Sequence, residues 1–126
     1  MRHLVSAMLL VVAVIHLLPL AGVLGGARLA ALYGLQLEDP NLVILMRHRA
    51  VLFGLLGAFI AIAAFHPPFQ PAAFVAGGVS VLSFLYLAWA VGGYNAQLAR
   101  VFGADLVAGA CLVVGALAYA YVQRQA

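Results

Sequence analysis

Three consecutive residues, Arg47, His48 and Arg49, stand where an acidic turn runs into an apolar stretch (residues 38–58, EDPNLVILMRHRAVLFGLLGA) of this 126-residue chain. Few other side chains offer chemistry: the acids Glu38, Asp39 and Asp105, the histidines His3, His16 and His66, and the lone Cys111. Successive helical residues turn by about 100°, so Arg47 and Arg49 diverge by about 200° and cannot share a face. Arg47 is followed at helical spacing by Ala50, Gly54, Ala58 and Ala61, small residues that let membrane helices approach closely. Arg49 is followed by Phe53, Leu56 and Ile60, which suit lipid. The pattern therefore predicts Arg47 directed into a bundle and Arg49 snorkelling to headgroups. An inward arginine needs a counter-charge. Asp105, which heads a run of small residues, is the first candidate, with Glu38 and Asp39 as competitors.

His16 falls well inside the first apolar run. An ionisable residue at that depth marks either function or a neutral imidazole bonded to a backbone carbonyl, Ser80 or Ser83. Axial haem ligation by His16 and His48 would require similar depths, and theirs differ. No cofactor is predicted, with haem and quinone the alternatives. His3 and His66 share an interface that has no nearby acid, and Cys111 lies in an apolar run, so no metal centre or disulfide is expected. Tyr94, Asn95, Gln97 and Arg100 gather on the same side as Tyr33, Glu38, Arg47 and His48. A cleft there, apolar inside and polar at its mouth, suits a quinone, a lipid or a fatty acyl compound. The competing reading is that loops collect polar residues anyway. The ligand-binding candidates are Arg47, His48, Asp105, His16, Tyr94, Asn95 and Glu38, with no catalytic or metal-ligating set.

The elements that must position these residues follow from composition. Apolar residues make up 67% and charged residues 7% of the chain, outside the range of soluble globular domains. The net charge of +3 is carried by scattered arginines and makes no nucleic-acid footprint. Four continuous runs, about 4–24, 42–65, 71–91 and 104–122, are long enough to cross a hydrocarbon core as helices. The expected fold is all-α: a single domain, 1–126, forming a four-transmembrane-helix bundle with a short interfacial helix between helices 1 and 2. Arg2 and the first apolar run imitate a secretory signal, but His16 interrupts the run, and no cleavage is expected. Pro19 should break the first helix, with Gly22, Gly25 and Gly26 closing it. Residues 27–33 form the interfacial piece, Gly34 ends it, and Asp39-Pro40 starts the second helix as cap and first residue. Three prolines in 66–71 force a turn, a polar segment reaches Arg100, and the last helix begins near Asp105. Tyr86 and Trp89 suit an aromatic belt. Arginine counts place both termini on one side, the periplasmic one.

HLLPL (16–20), LYG (32–34), DPNLVILMRHRAVLFGLLGAF (39–59), VSVLSFLYLAW (79–89) and GGYNAQLARVFGAD (92–105) together resemble a group of small, uncharacterised four-helix bacterial inner-membrane proteins. Some members carry the label phosphopantetheine adenylyltransferase. The His-x-Gly-His motif of that soluble nucleotidyltransferase is absent here, so the resemblance implies a location and an architecture and no reaction. The leading functional expectation is a non-catalytic inner-membrane protein that binds an amphipathic molecule, a lipid or a partner membrane protein at the polar face. The alternatives are a membrane redox or transferase enzyme using quinone, haem or a thiol cosubstrate, and a small transporter that self-associates through Gly54 and Ala58.

Overall fold

The computed structural model describes residues 1–20, 26–34 and 39–125, with the backbone alone described for residues 26–29. Among the described residues five α-helices follow one another: α1 (Arg2–Leu17), α2 (Gly26–Tyr33), α3 (Pro40–Ala63), α4 (Gln70–Val91) and α5 (Ala96–Gln125). Four spans, Arg2–Leu20, Pro40–Ala63, Pro67–Val91 and Ala96–Gln125, are long and apolar enough to cross a membrane.

Local chemistry accounts for most boundaries. Proline at 19 has no amide hydrogen to continue an α-helical ladder, and the chain tightens into a 3₁₀ turn over residues 18–20. Gly22 and Gly25, expected to close this helix, lie outside the described residues, and Gly26 opens α2 instead. Gly34 ends α2 at φ 65°, a left-handed conformation suited to glycine, with its amide bonded to the Ala30 carbonyl at 2.7 Å. Asp39 caps α3 as expected, accepting from the Asn41 amide at 2.9 Å, with Pro40 in the first turn. A 3₁₀ turn, Pro67–Phe69, joins α3 to α4.

The last helix departs from expectation. It begins at Ala96, so Asp105 lies in its interior. Hydropathy marks only the apolar part of a helix, but Asn95 provides a start signal: its Oδ1 accepts from the Leu98 amide at 2.8 Å. Alanine, glutamine, leucine and arginine then propagate the helix as good helix formers. The Asn95 amide also donates to the Tyr33 carbonyl at 2.6 Å, tying the end of α2 to the start of α5.

Helix α1 packs against α3 and α5, and α4 packs against α5 and α3. Val5, Leu9, Val12 and His16 recur every three or four residues and face inward on α1. They meet Ile60, Ala63 and Ala64 near the end of α3, Ala73 and Val81 on α4, and Ala108, Leu112 and Ala118 on α5. At the end of α3 the Ala64 carbonyl accepts from Ser6 Oγ at 2.6 Å, which satisfies a helix-end acceptor.

The small-residue seam on α3 runs through Ala50, Gly54 and Gly57, whereas Ala58 is exposed. Gly54 lies under Leu20, so the seam closes the chain on itself and is not the open Gly54/Ala58 stripe expected for self-association. At Gly57 a Cβ would stand 2.9 Å from Leu17 Cγ and 3.1 Å from the Ala13 carbonyl oxygen. Gly57→Leu is therefore expected to force α1 and α3 apart at a cost of about 1–3 kcal/mol. Titration of the protein with sodium dodecyl sulfate in mixed micelles measures it. An unchanged midpoint would refute the close approach.

Candidate functional site

Four side chains form a column along the inner side of α3. The Arg49 guanidinium lies over the Phe53 ring at 4.3 Å from its centroid and 5.4 Å from that of Tyr33. One Arg49 nitrogen donates to the Tyr33 hydroxyl at 2.6 Å. On the deeper side Phe53 stacks on the His16 ring, with centroids 5.5 Å apart and planes inclined by 23°. The column needs α2 for Tyr33, α3 for Arg49 and Phe53, and α1 for His16. A guanidinium held on two aromatic faces keeps its charge at low desolvation cost through cation–π attraction.

His16 is 1% exposed and bonded at both nitrogens. Nδ1 is 2.9 Å from the Val12 carbonyl oxygen, which only accepts, so that nitrogen carries a proton. In the neutral ring Nε2 then accepts from the Ser80 hydroxyl, also at 2.9 Å. The imidazole is thus a bonded core group joining α1 to α4. With both His16 nitrogens engaged and His48 exposed on α3, these residues do not fit a bis-histidine haem.

Beside the column is a cavity of about 280 Å³ bounded by α1, α2, α3 and α5. Ile15, Leu18, Leu32, Val101 and Ala104 provide apolar walls, and Tyr33, Arg49, Gln97, Arg100 and Asp105 provide polar ones. Asp105 is 7% exposed, and the charge of Arg49 acts on its carboxylate across the cavity. Among the described residues no hydrogen-bond donor reaches Asp105. A second cavity, about 480 Å³, lies on the other side of Tyr33 and Arg49, which line both; Met46, Phe84, Leu87 and Tyr94 contribute to it.

The sequence-derived candidates are therefore redistributed. Asp105 and His16 reach the first cavity, and Tyr94 reaches the second, stacked on Phe102 at 5.7 Å. Asn95 is occupied as a helix cap and a brace on α2. Arg47 and His48 are exposed and line neither cavity, and Glu38 lies outside the described residues. Asp39, the other competitor for an inward arginine, is an exposed cap.

The assignment of the two arginines is reversed: Arg49 is the half-buried one at the Asp105 cavity, and Arg47 faces outward. By helical phase the Ala50–Gly54–Gly57 seam lies nearer to Arg47, but the buried face of α3 continues through Ile60 and Ala63 toward the Arg49 side. Tyr33 of α2 covers Arg49, and α5 faces it across the cavity. The residues that follow Arg49 were read as lipid-facing because they are large, yet Ile60 is 0% exposed and Phe53 packs on His16. Sequence reasoning left Arg49, Phe53 and Tyr33 out of the site. A usable signal existed in Phe53, one turn after Arg49 and apt to meet the mid-helix imidazole.

No family model matches the chain. No curated protein and no solved structure matches it either. The site must therefore be interpreted from its own geometry. Among the described residues no group of three or more His, Cys, Asp or Glu side chains is placed to hold a metal ion.

Proposed function

We propose that this chain is a multi-pass protein of the bacterial inner membrane that binds an amphipathic small molecule in the Arg49–Asp105 cavity, without a catalytic role. The membrane reading is supported by where the apolar side chains point. Val75, Val79, Leu82, Leu87, Trp89, Val113 and Leu117 are all more than half exposed. At most 28% of each apolar helical window is buried inside the chain. Outward apolar faces on this scale need a hydrocarbon solvent or a partner, since monomeric soluble proteins rarely expose large contiguous patches.

The observation that carries the binding reading is the cavity itself. In a molecule that uses almost no charge, two arginines, Arg49 and Arg100, and one aspartate line one space whose remaining walls are largely apolar. That combination recognises a ligand with one polar end and one apolar end. The bland alternative, an ion pair serving only as glue, would place the two charges in direct contact and leave no chamber between them.

Mass spectrometry of small molecules retained after gentle extraction tests the reading. Ala104→Trp fills the cavity wall with an indole. The expected result is an amphiphile that copurifies with the wild type and is lost, by about tenfold or more, from Ala104→Trp of equal folded yield. Equal retention by both proteins, or none by either, would overturn it. A retained quinone would point to the redox alternative at the same site.

A further inference from the structure

We infer that the ligand of the Arg49–Asp105 cavity is a neutral single-chain amphiphile with a hydroxyl-bearing head group, of the chemical class of monoacylglycerols and long-chain alcohols. This rests on the reading that the cavity binds an amphipathic molecule, and it specifies the head group.

Asp105 sets the first requirement. An ionised carboxylate only accepts hydrogen bonds, and this one is 7% exposed with no donor among the described residues. No fully shielded polar side-chain atom is left without a partner among those residues, so the unbonded carboxylate keeps its open side toward the cavity it lines. A head group that enters displaces the solvent on that open side, and leaving the carboxylate without a donor is then costly. The ligand must therefore bring a donor, which disfavours heads that only accept, such as a benzoquinone or an ionised fatty acid.

Arg49 sets the second. Its guanidinium has five N–H donors and no acceptor, and one nitrogen is occupied by the Tyr33 hydroxyl. The remaining donors call for an acceptor on the same ligand. A hydroxyl supplies both functions in one small neutral group, its proton to Asp105 and its lone pairs to Arg49.

Charge balance sets the third. Arg49 and Asp105 sum to zero; Arg100 also lines the cavity, but it is exposed, where solvent and salt screen its charge. A neutral head meets no like-charge contact there. An ammonium would be pressed against Arg49, and a phosphate against Asp105, each a like-charge contact in a poorly screened place. Size adds the limit to one chain, because about 280 Å³ falls just below the roughly 300–1,000 Å³ of ligand pockets and holds the head and only the first part of one chain.

The test uses the full-length protein in phosphatidylcholine nanodiscs with photoreactive diazirine probes: monoolein, oleic acid, and a benzoquinone with a chain of matched length. Peptide mapping locates the labels. Monoolein is expected to label α1 and α5 at the cavity, and unlabelled monoolein to compete. Its dimethyl ether, which has lost both donors, should compete about tenfold less well, the effect of losing a hydrogen bond to a charged group. Asp105→Leu should abolish the preference for monoolein over the ether. Because that variant can fail to fold, the ether comparison on wild-type protein decides by itself. Equal competition by monoolein and its ether, or cavity labelling by the oleic acid or quinone probe in preference to monoolein, would overturn the hydroxyl head while leaving an amphiphile site standing. No cavity labelling by any probe would overturn both.

Discussion

Arg49→Ala is expected to lower the stability of the bundle by about 2–3 kcal/mol, whereas Arg47→Ala leaves it close to wild type. Arg49 is the cation whose charge acts on the buried Asp105 carboxylate, and removing it leaves that carboxylate less compensated in largely apolar surroundings. Losses from fully buried pairs reach about 3–5 kcal/mol, and the half-buried position of Arg49 reduces that figure. The cation–π contacts with Phe53 and Tyr33 are lost as well. Arg47 is exposed, so its truncation empties no buried site. Titration with sodium dodecyl sulfate in mixed micelles reads both variants. The double variant Arg49→Leu/Asp105→Leu should recover much of the loss, because it removes both charges. Equal effects of the two alanine substitutions, or additive losses in the double variant, would sink the assignment of Arg49 as the interior cation.

The second large effect concerns His16. His16→Ala should cost about 2–4 kcal/mol, the range for emptying a large buried site. It removes a side chain that is 1% exposed, its stack with Phe53 and its bond to Ser80 together. Ser80→Ala isolates the last of these and should cost about 0.6–1.7 kcal/mol, as measured for interhelical hydrogen bonds in a membrane protein. His16→Phe should fall between the two, since it keeps the stack and forfeits the bond. If Ser80→Ala proved as damaging as His16→Ala, the stack with Phe53 would contribute nothing and the column would have to be reinterpreted.

These expectations show how much was legible beforehand. Continuous apolar runs identified four long helices, because helix length and hydropathy are local properties. Asp39, Pro40 and Gly34 marked their ends through capping and a left-handed turn. The bonded imidazole at His16 was also foreseeable, since a mid-helix histidine in apolar surroundings needs partners, and Ser80 was among the few available. The start of α5 was missed because its first turns are polar and its signal is a single cap, Asn95.

What the sequence determined alone is the angular divergence of Arg47 and Arg49, a consequence of helical pitch that holds in any packing. It determined equally that an inward arginine would need Asp105 or one of two other acids. Tertiary structure decided which arginine turned inward, because helical phase alone favours Arg47 at the small-residue seam and it is the placement of α1, α2 and α5 that encloses the Arg49 side. Phe53 follows one turn after Arg49 on the same helix; once Tyr33 was brought onto that side, the guanidinium of Arg49 had two aromatic faces and a carboxylate within its field. The cavity has the same origin: it belongs to the space among four helices, and no single helix encodes it.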